Sequence, residues 1–352
     1  MNNLRHKAKI IHVIYLLVIF SGCDPEDFGR GPEPGWQYWQ DLSGVKYPFH
    51  PNDLSINSNS IWVAAENGIF SFNDTSWTKY DSITTQQLLP KISYYAIDVS
   101  PDKTVWAGGS WGTIVRYSNG KWDTFPDAQQ YISSSVITAI RGINQTNAWI
   151  ASDSFGLLEY RNSLWYHWKA SEGSNTIPSN KVNDILLDRQ QRVWIATNRG
   201  LARYENQRWE HFSIETTKGQ LPDNEVTALA LDSTKRLWIG TRKGYLVIYD
   251  GVLWKIYSPD SLNRGLPGLP VLGLAIDQVG ITWIGFALSN WTNAKGYREG
   301  GIMRFDGTKW LRYTTTSTAS GMPGEYIDDI EIDHHNHKWF AIAGGVTRYS
   351  KE

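Results

Sequence analysis

Apolar residues in this chain come in short runs that recur with a long, fixed period. In the clearest stretch, Val226-Thr227-Ala228-Leu229-Ala230-Leu231 is a mainly apolar run suited to an inner strand, and Asp232 and Ser233 open a turn. Arg236-Leu237-Trp238-Ile239-Gly240-Thr241 reads as a second strand, with Gly244 ending the turn after it. Tyr245 to Tyr249 is a third strand. Asp250-Gly251 is a hairpin signal, because both residues tolerate positive φ, and Leu253 to Tyr257 is the fourth strand. The preceding unit repeats the pattern with Val182 to Asp188, Val193 to Thr197, Gly200, Arg203-Tyr204 and Trp209 to Phe212. Four short antiparallel strands per unit predict a β-propeller blade.

Two tryptophan series carry the period through the chain. The first is Trp62, Trp106, Trp149, Trp194, Trp238, Trp283 and Trp339, at intervals of 44, 43, 45, 44, 45 and 56 residues. The second is Trp36, Trp77, Trp122, Trp165, Trp209, Trp254 and Trp310, each followed three positions later by an aromatic residue. The second series starts before the first and stops before it. The last unit therefore lacks its own fourth strand, and a spare one, Trp36-Gln37-Tyr38-Trp39, lies at the N-terminal end. The expected fold is all-β: a seven-bladed propeller over residues 36–352, its ring closed by that strand. Without the closure, two sheet edges would face water. Asp188, Asp232, Asp277 and Asp333 each precede a second-strand tryptophan by six residues, where Ser100, Ile143 and Ile56 stand in other units. A turn-forming role explains the four aspartates.

Composition changes this picture little. The formal net charge of the 352 residues is −1, and no basic run suggests nucleic acid. The start of the chain is more informative. Arg5, Lys7 and Lys9 precede an apolar run from Ile10 to Phe20 that is too short to span a bilayer, the form of a secretory signal over residues 1–22. Phe20-Ser21-Gly22-Cys23 resembles a bacterial lipobox, with Phe20 in place of the usual leucine. That resemblance implies that Cys23, the single cysteine, is lipidated and anchors the chain to a membrane. Residues 23–35 read as a flexible tether. Asp24, Glu26 and Asp27 resemble surface-export signals of Gram-negative lipoproteins. The expected location is the outer membrane, on its periplasmic side or at the cell surface.

Leu221-Pro222-x-Asn224-x-Val226, Asp232 and Leu237-Trp238-Ile239-Gly240-Thr241-x-x-Gly244 together resemble the two-component regulator propeller repeat. The resemblance spans residues 36–352 in two strong and five degenerate copies. It implies an extracytoplasmic bacterial propeller of the kind found in glycan-responsive sensor ectodomains. No kinase or second propeller is expected here, so only the scaffold carries over.

Subtracting the repeat leaves Trp111 and Trp291, both in loops joining second to third strands at one mouth of the central channel. Trp291 sits in a long insertion, about Ala287 to Gly300, with Tyr297, Arg298 and Glu299. Equivalent loops hold Glu66, Asp153, Phe155, Arg199 and Arg242. Aromatic faces beside charges and amides suit sugar rings, so the expected function is non-catalytic binding of a glycan or other extracellular ligand, with no cofactor. The alternatives are a scaffold subunit of an envelope protein complex and a propeller lyase or hydrolase. For catalysis, Glu66 and Asp153 are the candidate carboxylate pair and His50 the one histidine in a mouth-side loop, whereas His167 and His211 lie on outer strands. Asp333-His334-His335-x-His337 reads as a polar turn rather than a metal site.

Overall fold

The computed structural model describes residues 35–39, 50–57, 60–171, 175–260, 265–288, 300–319 and 321–351. Seven four-stranded antiparallel sheets form a seven-bladed propeller. Blade 1 is typical, with strands Pro51–Asn57, Ser60–Ala65, Gly68–Phe72 and Trp77–Tyr80 running from the channel outward. The inner strands of blades 2 to 6 are Tyr94–Val99, Ile137–Asn144, Val182–Leu187, Val226–Leu231 and Val271–Ile276. Blade 7 takes three strands from the C-terminal end, Ile327–Ile332, Lys338–Ile342 and Gly345–Tyr349, and its fourth is Trp36–Trp39. That strand pairs antiparallel with the last one, Trp36 opposite Tyr349 and Trp39 opposite Val346. The seam is reinforced by Ser350 N–H donating to the Gly35 carbonyl at 2.8 Å and by Arg348 donating to Gln37 Oε1 at 2.6 Å.

The Trp-x-x-aromatic spacing has a geometric cause. Residues three apart in a strand point to opposite faces. Each outer strand therefore places its tryptophan in one inter-blade seam and the later aromatic in the next. Trp77 packs against blade 7, while Tyr80 packs against blade 2. Trp209 faces blade 3 and Phe212 faces blade 5. Trp36 fills the seam of blades 6 and 7, and Trp39 stacks on Trp339 in the seam of blades 7 and 1, ring centroids 5.3 Å apart. Second strands are packed on both faces, so Val193–Thr197, Leu237–Thr241 and Thr282–Phe286 are buried throughout.

The four recurrent aspartates do more than turn the chain. Asp232 accepts the N–H of Thr234 and Arg236, and its Oδ2 accepts the Trp238 indole N–H at 2.9 Å. Asp188, Asp277 and Asp333 accept Trp194, Trp283 and Trp339 in the same way, at 3.0, 3.2 and 2.9 Å. In blade 2, where Ser100 takes that place, Trp106 donates to the Asn144 carbonyl of blade 3 instead. A basic side chain meets each carboxylate. Arg192 and Arg236 serve Asp188 and Asp232 from four residues on, and His337 Nδ1 lies 3.0 Å from Asp333. His337 is thus part of the turn, as its sequence suggests. Asp277 has Ile281 at the equivalent place and takes the Lys338 ammonium of blade 7 instead, at 3.2 Å.

Candidate functional site

All seven inner strands carry a β-bulge at the same place near their first residue. A bulge inserts one residue and re-aims its side chain, a common device beside functional sites. The inserted residues are Asn52, Tyr95, Thr138, Asn183, Thr227, Leu272 and Asp328, and all seven line the upper channel. Three of them bind neighbouring blades. Asn52, Thr138 and Asn183 donate to the carbonyls of Tyr94, Val182 and Val226 in the following inner strand, at 2.7, 2.6 and 2.6 Å. The next residue repeats the device with acids: Asp53, Asp184 and Asp329 accept the N–H of Ile97, Leu229 and Leu54. The signal for this was in the sequence, as recurrent polar residues at one register of the inner strand. A single unaligned turn cannot reveal that they face one another across seams.

At the mouth, the structure joins residues that sequence reasoning kept apart. His50 Nε2 lies 2.9 Å from Asp328 Oδ2, and its Nδ1 lies 3.6 Å from Glu66 Oε1. The Tyr326 ring meets the His50 imidazole edge-on at 6.1 Å. An arc of backbone bonds continues this cluster into blade 2. Glu66 N–H donates to the His50 carbonyl, Ser93 Oγ to the Glu66 carbonyl, and Ser110 N–H to the Ser93 carbonyl. Ser110 is the residue before Trp111. Trp111 itself is 66% exposed, with φ 60° and ψ 30°, a left-handed conformation unusual for a bulky side chain. Gly112 permits it: at φ +64° its missing Cβ would lie 2.3 Å from the Ile132 carbonyl oxygen, and its N–H donates to Ser135.

Other predicted positions are placed as follows. Asp153 accepts the Val136 N–H at 3.1 Å and the Ser154 hydroxyl at 2.8 Å, so Glu66 is joined by Asp328 rather than by Asp153. Phe155 packs into the seam of blades 2 and 3. Arg242 lies 3.6 Å from Glu225, and Arg199 borders a groove of about 710 Å³ with His211. His167 and His211 are on outer strands, as read from sequence, but their rings reach mouth-side loops, at 2.6 Å from the Phe155 carbonyl and 2.5 Å from that of Thr176. Trp291, Tyr297, Arg298 and Cys23 lie outside the described residues. The ends of the long insertion are pinned at this mouth, Ala287 N–H to Pro270 and Gly301 N–H to Glu325.

Electrostatics separate the mouth and channel from the turns. Burial pushes Asp184 and Asp328 up to about 6, and Asp328 is opposed in this by its bond to His50. Burial raises Glu331 to about 8, with Asp329 adding to the effect and Arg141 opposing it. The bond to Asp328 raises His50 against the effect of its burial. By contrast, hydrogen bonds outweigh burial at Asp232, which is held down at about 2. A group raised by folding contributes stability that is full below its unfolded value and fades as the pH climbs through its folded value. The channel carboxyls and His50 therefore cost stability as the pH rises from about 4 to 8. Asp188, Asp232 and Asp333 act in the opposite sense and lose their contribution only as the pH falls below about 4. The urea midpoint should decline from pH 5 to pH 8, and Glu331→Gln should flatten the part between pH 6.5 and 8. A wild-type midpoint that rises over this interval would contradict the assignment.

Among the described residues no helix is long and apolar enough to cross a membrane. No curated protein matches this sequence. The fold is shared with the extracellular domain of the hybrid two component system BT3049 from B. thetaiotaomicron, at 16% identity and a TM-score of 0.70 over 92% of this chain and 42% of that one. The chain thus spans less than half the length of that sensor domain. It is also similar to virginiamycin B lyase from Staphylococcus aureus, at 13% identity and a TM-score of 0.64 over 90% of this chain and 99% of the lyase. A third likeness is YCF48 from Cyanidioschyzon merolae, at 14% identity and a TM-score of 0.61 over 90% and 98%. The two component regulator propeller model matches residues 176–199 and 220–243, each running from a mouth-side loop into the loop that follows the next blade's second strand. The chain is a seven-bladed propeller that carries two component regulator propeller repeats.

Proposed function

We propose that the mouth bearing Trp111, His50, Glu66 and Asp328 recognises a glycan or another extracellular ligand without catalysis. The observation that carries this reading is Trp111. An indole two-thirds exposed, held in a backbone conformation that costs about 1–3 kcal/mol, packs no seam and has no ring partner among the described residues. Strain of this kind persists at binding and switch sites because the surrounding fold enforces it. Trp291, Tyr297 and Arg298 join the reading through the loop whose ends are fixed at the same mouth, and Asp153, Phe155, Arg199 and Arg242 through theirs. Attachment to the outer membrane through Cys23 belongs to the same proposal.

The first experiment is tryptophan fluorescence of residues 34–352 titrated with a panel of polysaccharides. A saturable change that disappears in Trp111→Ala, with an unchanged melting curve, is the expected result. A silent panel would remove the glycan and turn the search toward a protein partner. The His50–Asp328–Glu66 cluster is where a second reading, acid–base chemistry at this mouth, would have to sit. Both imidazole nitrogens face carboxylates, and the imidazolium is favoured, so no free nitrogen is poised to act as a base. Fragments released from the panel by the wild type but not by His50→Gln would establish that second reading instead.

A further inference from the structure

Below the mouth, the inner strands enclose a channel cavity of about 390 Å³, within the range of small-molecule sites. Its wall is strongly asymmetric at the register two residues below the acids Asp53, Asp184 and Asp329. In blades 1 to 3 this register holds Ser55, Asp98 and Arg141, and each is used up between blades. Ser55 and Asp98 accept the N–H of Val99 and Gly142, and Arg141 donates to the Ile185 carbonyl and to Asp98. In blades 4 to 6 the register holds Leu186, Ala230 and Ala275, apolar side chains that pack into the seams and give the cavity an apolar wall. In blade 7 it holds Glu331. By analogy with Ser55 and Asp98, Glu331 would accept the N–H of Ile56, but among the described residues it makes no hydrogen bond to another blade.

Charge in the channel does not balance either. Asp53, Asp98, Asp184, Asp329 and Glu331 share one guanidinium, Arg141, which is already engaged. Five carboxyls in a weakly solvated interior cannot all ionise beside a single cation. A metal ion does not fit, because among the described residues no three acids or histidines converge on one point. The small apolar side chains Ala230 and Ala275, which line the same cavity, would give such an ion no ligands.

We infer that the channel binds a small organic cation, its ammonium or guanidinium group against the Glu331 carboxyl and its apolar body against Ala230 and Ala275. This site lies below the mouth, whose Asp328 borders the same cavity, and does not depend on Trp111. Binding ionises Glu331 and releases its proton. Of the groups around it, Arg141 opposes the cation, while Asp329 on the same strand and Asp98 across the channel attract it.

The test uses the full chain with phenethylammonium as the probe, and 2-phenylethanol and magnesium ion as controls, followed by calorimetry. Phenethylammonium should bind saturably, and about tenfold tighter at pH 8.5 than at pH 6.5, over which an alkylammonium stays charged. The uncharged alcohol should bind about tenfold more weakly or not at all. Glu331→Gln keeps the shape of the neutral carboxyl and should fold normally, yet lose at least about tenfold in affinity. Ala230→Leu fills the apolar wall and should abolish binding, while Trp111→Ala should leave it unchanged. The proposal fails if phenethylammonium does not bind at millimolar concentration, if Glu331→Gln binds it equally well, or if magnesium binds in its place.

Discussion

Lys338→Met should destabilise the propeller by about 3–5 kcal/mol, the range for removing one partner of a buried ion pair. Lys338 is 1% exposed and the Asp277 side chain 0% exposed, at 3.2 Å, and the ammonium also lies 5.5 Å from the centre of the Trp283 ring. Methionine fills much of the stem volume, so the loss is electrostatic: Asp277 keeps two backbone N–H donors and the Trp283 indole but loses its cation. The double variant Lys338→Met with Asp277→Asn should recover most of the loss, because an uncharged pair leaves no unpaired buried charge. Urea denaturation of the two variants beside wild type measures this. If the single variant melts within about 1 kcal/mol of wild type, the pair does not hold blades 6 and 7 together. Arg236→Met should cost less, since Arg236 is 45% exposed and its charge is screened by solvent.

Trp36→Ala should cost about 3–5 kcal/mol, as truncation of a large buried aromatic does. Trp36 is 5% exposed and packs against Tyr313, Phe340 and Tyr349 at 5.4, 5.8 and 4.7 Å. Gly321 lets the indole come this close, since a Cβ there would lie 2.7 Å from the Trp36 Cβ. The substitution empties the seam of blades 6 and 7 and loosens the only strand that joins the two ends of the ring. Trp122→Ala removes a comparable side chain from a strand within one continuous blade. Comparing the two by limited proteolysis separates lost packing from lost closure. Trp36→Ala should expose both the N-terminal strand and the C-terminal strand to cleavage, and Trp122→Ala neither. A Trp36→Ala melting curve equal to wild type would overturn closure by this strand.

Most of the architecture is legible without coordinates. The blade count and the closing strand follow from the offset between the two tryptophan series, because every blade presents the same two seams and the same residues must fill them. The aspartates before the second-strand tryptophans are legible as turn formers, although their bonds to the indoles are not. Trp111 is legible as a residue the repeat does not require, and its exposure agrees with that. The site around it was read less well. The sequence sets Glu66 beside Asp153, two blades away, whereas it meets His50, which bridges it to Asp328. His50 is legible as the one histidine in a mouth-side loop, but not its contact with Asp328.

Local pattern therefore determined the strands, their number and the closure of the ring, because alternation, turn chemistry and a period in the forties act within one blade or between identical neighbours. Only the tertiary structure decided what meets in the channel. Asp328 reaches His50 across 278 positions of sequence, and Lys338 finds Asp277 only where two blades abut. The first depends on ring closure and on which residue the bulge turns inward, the second on how two neighbouring blades pack, and neither is encoded in the spacing of any single repeat. The charges that set the channel's chemistry belong to the ring as a whole, so the sequence shows the acids one at a time and the fold shows that they share a single guanidinium.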